Sequence, residues 1–396
     1  MTGNSIGKTI PLSVLDLVPI PSGSTARQAI ANTIELAQRS EAAGYQRYWF
    51  AEHHLNPGVA GTTPALLIAL IANATRTLRV GSGAVLMGHH TPLAVVEQFG
   101  ILDAVHPGRI DLGLGRSGFR RLQQRAAATN PPAGTATSTS TAPRGRRTDN
   151  GLLIPPPYSF AHLAGSPRIT LQLRLLQQPN AETPEYSEQI DDVLALIGGT
   201  YRDAAGTEAH VVPGEGAQLD VWILGSSGGD SAEVAGRRGL PFAANYHVAP
   251  SSVLEAVEAY RSAFRPSAKL TRPHVSVSAD VVVAQTDDEA RELATGYAPW
   301  VRSIRSGEGA IPFPTPDEAR SFDWSDDDQA LVQDRLDTQF VGSPDRVADQ
   351  IGVLAAETGA DELLITTITH DHRDRIRSYE LLADEWAARN RLARVG

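Results

Sequence analysis

The chain contains no cysteine. That absence excludes a disulfide framework, a thiolate nucleophile, iron–sulfur clusters and thiolate zinc sites. Lysine is nearly missing as well: Lys8 and Lys269 stand alone, so almost all of the positive charge is arginine. With 35 basic against 45 acidic residues the formal net charge is −10, which argues against a basic face for nucleic acid or an anionic membrane surface. No run approaches the ~18 consecutive apolar residues of a membrane-spanning helix. The opening MTGNSIGKTIPLSVLDLVP lacks the apolar stretch and small-residue cleavage site of a signal peptide, so the expectation is a cytoplasmic protein.

What is present is an ordinary globular composition over 396 residues, 41% hydrophobic and 20% charged, long enough for a large core. Short apolar runs alternate with helical patterns. Strands are expected at Leu12–Leu17, Arg47–Ala51, Leu78–Leu86, Arg109–Leu114, Leu219–Leu224, Pro241–Tyr246, His274–Ala284 and Asp361–Thr367. Each precedes a helical stripe; the first helix is expected over Thr25–Ala43 with Ser24 as its cap. Eight such repeats predict parallel strands with right-handed crossovers, closed into a (β/α)8 TIM barrel, with an open doubly wound sheet as the alternative. The whole chain, 1–396, reads as one barrel domain with two additions. Residues 117–183, rich in Pro, Ala, Thr, Ser and Arg, read as a low-complexity, mobile insertion with a local strand or hairpin at Ile169–Leu175. Residues 296–330 read as a lid-like excursion after the seventh strand. Both follow a strand, so both are expected on the C-terminal face, where barrel active sites sit.

Four strand ends carry candidate chemistry. Ala51-Glu52-His53-His54 places two imidazoles at the mouth; the bland alternative is one His on a buried carbonyl and one in solvent. His89-His90 are further imidazoles, but no metal-ligand spacing such as HExxH occurs, so no metal is assigned. Gly81-Ser82-Gly83-Ala84-Val85 puts glycines inside a strand, either for barrel packing or to leave a bare surface for a flat ring. Gly113-Leu114-Gly115-Arg116-Ser117-Gly118 matches G-x-G-x-x-G, yet no acid stands where a dinucleotide fold needs one, so that reading is rejected. Arg116 remains, either in a structural ion pair or as a cation for a phosphate. Gly225-Ser226-Ser227-Gly228-Gly229-Asp230-Ser231 opens a helix, the kind of start that suits an anion. A phosphate clamp, a bare strand and a His pair at successive strand ends together suit FMN.

These segments resemble the bacterial-luciferase-like, flavin-dependent monooxygenase family. The likeness runs through AEHH, TRTLRVGSGAVLMGHHTPLAVVEQFGILD, HPGRIDLGLGRSG, VWILGSSGGDSAEVAGRRGLPFAANYH, FVGSPDRVADQI and DELLITTITHDHRDRIRSYELLA, in the family's order and spacing. The THDH, AEHH and GRSG set is most similar to members that tailor aromatic polyketides in antibiotic biosynthesis. The resemblance implies a homodimer that takes reduced FMN from a separate flavin reductase and uses O2 to hydroxylate or epoxidise a small aromatic substrate. The deazaflavin F420, in an oxidoreductase without oxygen chemistry, is the alternative cofactor; a flavin-binding carrier without catalysis is the other. Carried over by position, Glu52 and His53 are catalytic, with His54 as a lesser candidate. Gly83 and Ala84 lie against the ring, often through a non-proline cis peptide. Arg116, Ser227, Gly228 and Ser231 bind the phosphate. True luciferases carry a reactive cysteine just before that arginine; Gly115 stands there, so light emission is not expected.

Overall fold

The computed structural model describes residues 10–117, 145–163 and 165–395. The first half runs β1 (Leu12–Asp16), α1 (Ala26–Ala42), β2 (Arg47–Phe50), α2 (Pro64–Ala74), β3 (Arg79–Ser82), β4 (Val85–Leu86), α3 (Pro92–Val105) and β5 (Ile110–Gly115). The insertion supplies β6 (Arg146–Arg147), β7 (Leu153–Ile154), α4 (Pro167–Leu175) and α5 (Tyr186–Ile197). Then come β8 (Asp220–Gly225), α6 (Asp230–Arg237), β9 (Phe242–Asn245), α7 (Val253–Ala263) and β10 (Val275–Val283). The last part is α8 (Asp287–Leu293), α9 (Tyr297–Arg305), α10 (Pro316–Arg320), α11 (Asp326–Thr338), β11 (Phe340–Gly342), α12 (Pro344–Thr358), β12 (Glu362–Thr366) and α13 (His372–Val395).

Parallel pairing closes β1–β2–β3–β5–β8–β9–β10–β12 into a ring, because β12 pairs with both β10 and β1. This is the (β/α)8 barrel, and the open-sheet alternative falls. The helix starts follow local chemistry. Pro64 and Pro92 occupy first-turn positions that need no amide hydrogen, and Thr91 accepts from the Ala94 amide. The first helix is capped by Thr25, which accepts from the Gln28 amide, not by Ser24. Ser24 closes a turn onto the Pro21 carbonyl, so the chain enters the helix one residue later.

Two cores result. Outward strand residues such as Tyr48, Phe50, Ile223 and Ile365 pack under the helices with Ile68, Phe99, Tyr260 and Leu382. Inward residues Leu15, Trp49, Trp222 and Leu364 fill the barrel. Its N-terminal end is closed by charge: Arg47 donates to Asp111 and Glu362, and Ser13 donates to Glu362 at 2.5 Å. Gly81 and Gly113 allow this filling. A Cβ on Gly81 would stand 2.5 Å from the Asp111 Cβ, and one on Gly113 would stand 1.9 Å from the Ser82 carbonyl oxygen.

The first addition differs from expectation in its local structure. Ile169–Leu175 belongs to helix α4, not to a strand: Ile169 and Leu173, one turn apart, are its buried face, and alternation over seven residues resembled that spacing. The described part of 117–183 is ordered, with β6 and β7 antiparallel and Tyr246 Oη donating to the Leu153 carbonyl at 2.7 Å. Residues 118–144 lie outside the described residues. The 296–330 excursion is packed into the interior core through Tyr297, Trp300 and Phe313. Among the described residues no helix is long and apolar enough to cross a membrane.

Candidate active site

Ala51 to Thr63 leave β2 at the C-terminal mouth. The His53 amide donates to the Gly61 carbonyl at 2.7 Å. Asn56 ties this loop to both additions: its Oδ1 accepts from the Ala310 amide at 2.9 Å and from Arg168 at 3.0 Å. Arg168 also donates to the carbonyl of Leu55, a residue held at φ +52°.

Glu52 is 3% exposed, and its carboxylate is saturated. His54 Nε2 lies 2.8 Å and His90 Nε2 3.0 Å from Oε1, while the Leu86 amide donates to Oε2 at 2.9 Å. Burial pushes this carboxyl up, but those hydrogen bonds outweigh it and hold it at about 2. Glu52 thus joins the His loop to the β3–β4 segment as a fixed anion. His53 is different. The residue is exposed at the mouth, while desolvation of its ring lowers it to about 4, opposed by Glu52 and assisted by His54. It is a neutral imidazole with free access. His89 packs edge-on to His54, with ring centroids 6.1 Å apart.

Sequence reasoning missed His247, two residues beyond β9. Its Nδ1 lies 2.5 Å from Ser278 Oγ on β10, and burial, with Arg335 and His53 adding to it against Asp280, lowers it to about 4. Both residues stand just beyond strand ends of the barrel, His53 after β2 and His247 after β9. Only the partial NYH string at a strand end pointed to it. Beside it Arg335 donates to Asp280 at 2.9 Å and to Tyr297 Oη at 2.6 Å, anchoring α9 and α11 to β10.

The Gly83–Ala84 peptide is cis. On their Cβ side Gly81 and Gly83 face Trp49 and Leu15, so the absent side chains make room for an indole; the partly open Gly83 backbone reaches the mouth. Gly113 and Gly115 are strand residues of β5, consistent with rejecting the dinucleotide reading. Arg116 ends that strand, paired with Asp230 and 5.7 Å above the Tyr186 ring. Next to it α6 opens at Gly229 with no side-chain cap, leaving first-turn amides for an anion. Ser252 Oγ donates to the Ser226 carbonyl at 2.5 Å and pins the loop holding Ser227 and Gly228; a Cβ on Gly228 would stand 2.8 Å from Glu255. Ser231 is buried in the first turn. A guanidinium, hydroxyls and helix amides form a donor set suited to a phosphate monoester. Asp230, largely exposed, would turn outward to make room. His370 and His372 of the THDH run turn away, to the Ser22 carbonyl and to Glu35.

Residues 10–136 and 176–362 match the luciferase-like monooxygenase family. The chain belongs to that family. This luciferase-like monooxygenase is 35% identical to a protein of that description from Escherichia coli K12, over 95% of this chain and 97% of the other. It is 34% identical to YvbT of Bacillus subtilis, over 98% and 99%. The crystal structure of apo-MsnO8 superposes with a TM-score of 0.72 at 30% identity, covering 96% and 98%. The chain is thus an enzyme of a flavin-dependent monooxygenase family.

Acid should destabilise this luciferase-like monooxygenase in two stages. His53 and His247 titrate lower when folded, so the unfolded chain takes up protons first and stability falls from pH 6.5 to about 4. Glu52 contributes fully above pH 4.5, and that stability, roughly 3 kcal/mol, is lost on approach to about pH 2. Urea midpoints measured from pH 7 to pH 2.5 should show the lower stage vanish in Glu52→Gln, at reduced stability near neutrality.

Proposed function

We propose that this chain is the oxygenating component of a two-component system. It receives reduced FMN from a separate flavin reductase and, with O2, adds one oxygen atom to an organic acceptor, the other leaving as water. The observation that carries this reading is one barrel mouth with a neutral, open His53 on one wall and a phosphate-shaped donor set on another. Bound FMNH2 supplies two electrons and the position at which O2 is activated. Arg116, Ser227, Gly228, Ser231 and the α6 amides hold the phosphate. The Gly83–Ala84 backbone supports the ring. His53 moves or holds the proton, and Glu52, locked between His54 and His90, acts through them by fixing their loop. Trp49, Trp222, Trp300 and Phe313 seal the barrel below and exclude water. The acceptor is a polycyclic aromatic metabolite of the polyketide type, the class that the likeness of the AEHH, GRSG and THDH segments implies.

Arg116→Ala tests the phosphate site. FMN affinity should fall about 10- to 100-fold, the loss of a charged hydrogen-bond partner, while riboflavin, which lacks the phosphate, should bind equally to both proteins. Equal loss for both ligands in a fluorescence titration would place the phosphate elsewhere.

The reading includes a homodimer. Leu66 and Leu70 on α2, with Leu93, Ile101 and Val105 on α3, are exposed on neighbouring helices. That stripe suits a self-complementary interface. Light scattering should give twice the chain mass, and Leu66→Glu with Ile101→Glu should give the monomer.

A further inference from the structure

His247 is not explained by flavin binding. The phosphate donors lie at the ends of β5 and β8 and the supporting backbone at the end of β3, whereas His247 follows β9 on the remaining wall. Side chains just beyond barrel strands face the reaction space.

The ring is fixed. Ser278 Oγ lies 2.5 Å from Nδ1, but 3.4 Å from the Ala244 carbonyl and from Asn245 Oδ1. The hydroxyl proton therefore goes to Nδ1, and the imidazole carries its own hydrogen on Nε2. Nδ1 faces the β10 wall, so Nε2, on the other side of the ring, points away from it. Nε2 has no hydrogen-bond partner among the described residues. Asp280, two residues along β10 from Ser278, is already occupied by Arg335 and by Tyr297 Oη. His247 is half-buried. An N–H at the mouth that none of the described residues accepts from is available to an oxygen of a ligand.

We propose that His247 recognises an oxygen atom of the acceptor, donating from Nε2 across the mouth from His53. This rests on the flavin-monooxygenase reading. The acceptor class is a molecule with a carbonyl or phenolic oxygen on an apolar ring frame, seated between the flavin site and the β9–β10 wall. Hydrocarbons of the same shape are discriminated against because they leave the N–H unpaired. Ser278 is a positioning residue that fixes the tautomer.

The test uses 2-naphthol and 2-methylnaphthalene, which share a shape and differ in the oxygen. Equilibrium dialysis is run on the purified protein with and without FMN. Apolar surroundings alone favour the methyl compound, so a preference for naphthol reports a hydrogen bond. We expect naphthol to bind about ten-fold tighter in at least one of the two states. His247→Phe should abolish that preference, His247→Gln should restore part of it through its side-chain amide, and Ser278→Ala should reduce it. FMN affinity, titrated separately, should be unchanged in all three variants. Equal binding of the two probes to the unaltered protein in both states, or a preference that survives His247→Phe, overturns the proposal. Loss of FMN binding by the unaltered protein would overturn the flavin reading instead, and the two failures are read from different ligands.

Discussion

Replacing His53 by alanine is expected to lower oxygenation of the acceptor by about 100- to 10,000-fold, the range for losing a positioned proton-transfer group. FMN affinity should change little, since the phosphate is held at Arg116 and α6. The imidazole is lowered to about 4 while the residue is exposed at the mouth, so it is neutral throughout the physiological range. A neutral ring can accept a proton at once; a cation could not. Reduced FMN should still be consumed by the variant, with its electrons diverted to H2O2, so peroxide release and product formation must be measured together. Unchanged product yield in His53→Ala would remove this residue from the mechanism and favour a carrier role.

Asp16→Ala is expected to be the most damaging single change to stability, by about 3–5 kcal/mol. Asp16 is fully buried at the end of β1. It accepts from the Val18 amide at 2.7 Å, Thr33 Oγ1 at 2.6 Å, Tyr48 Oη at 2.5 Å and Arg375 Nη2 at 2.7 Å. The first strand, first helix, second strand and last helix thus meet on one carboxylate. Burial pushes the group up, but Arg375 and the hydroxyl donors outweigh it and lower it overall. Truncation leaves Arg375 buried with, among the described residues, only the Thr367 carbonyl as acceptor for its side chain, at 2.8 Å. Urea unfolding at pH 7 should show the midpoint fall sharply, with a smaller fall in Asp16→Asn, which keeps an acceptor oxygen. A midpoint shift within experimental error would mean that the ring closes without this junction.

The contrast between these two residues shows what the sequence could reveal. Glu52, His53 and His54 were legible because they are contiguous and follow a strand, so position alone puts them at the mouth. Arg116 and the Ser227–Ser231 turn were legible for the same reason. Asp16 and Arg375 were not, because 359 positions separate them and only barrel closure brings them together. His247 was hidden by the same limit: its partner Ser278 lies on the next strand, and nothing local marks the pair. The strand glycines left two readings open. Gly81 and Gly83 look like a surface kept bare for a ring, yet the space beside them holds Trp49, whose position depends on inward–outward alternation across two strands. Composition misled at 117–183, where polar, low-complexity chain still supplies helix α4 with Ile169 and Leu173 buried.

Cofactor choice is the point on which the whole reading turns. Anaerobic titration of the purified protein with FMNH2, and in parallel with reduced F420, tests it most directly. Micromolar or tighter binding of FMNH2, with F420 at least about ten-fold weaker, a gap of about 1.4 kcal/mol, is the expected result. Tighter binding of F420, or no binding of FMNH2, would contradict it.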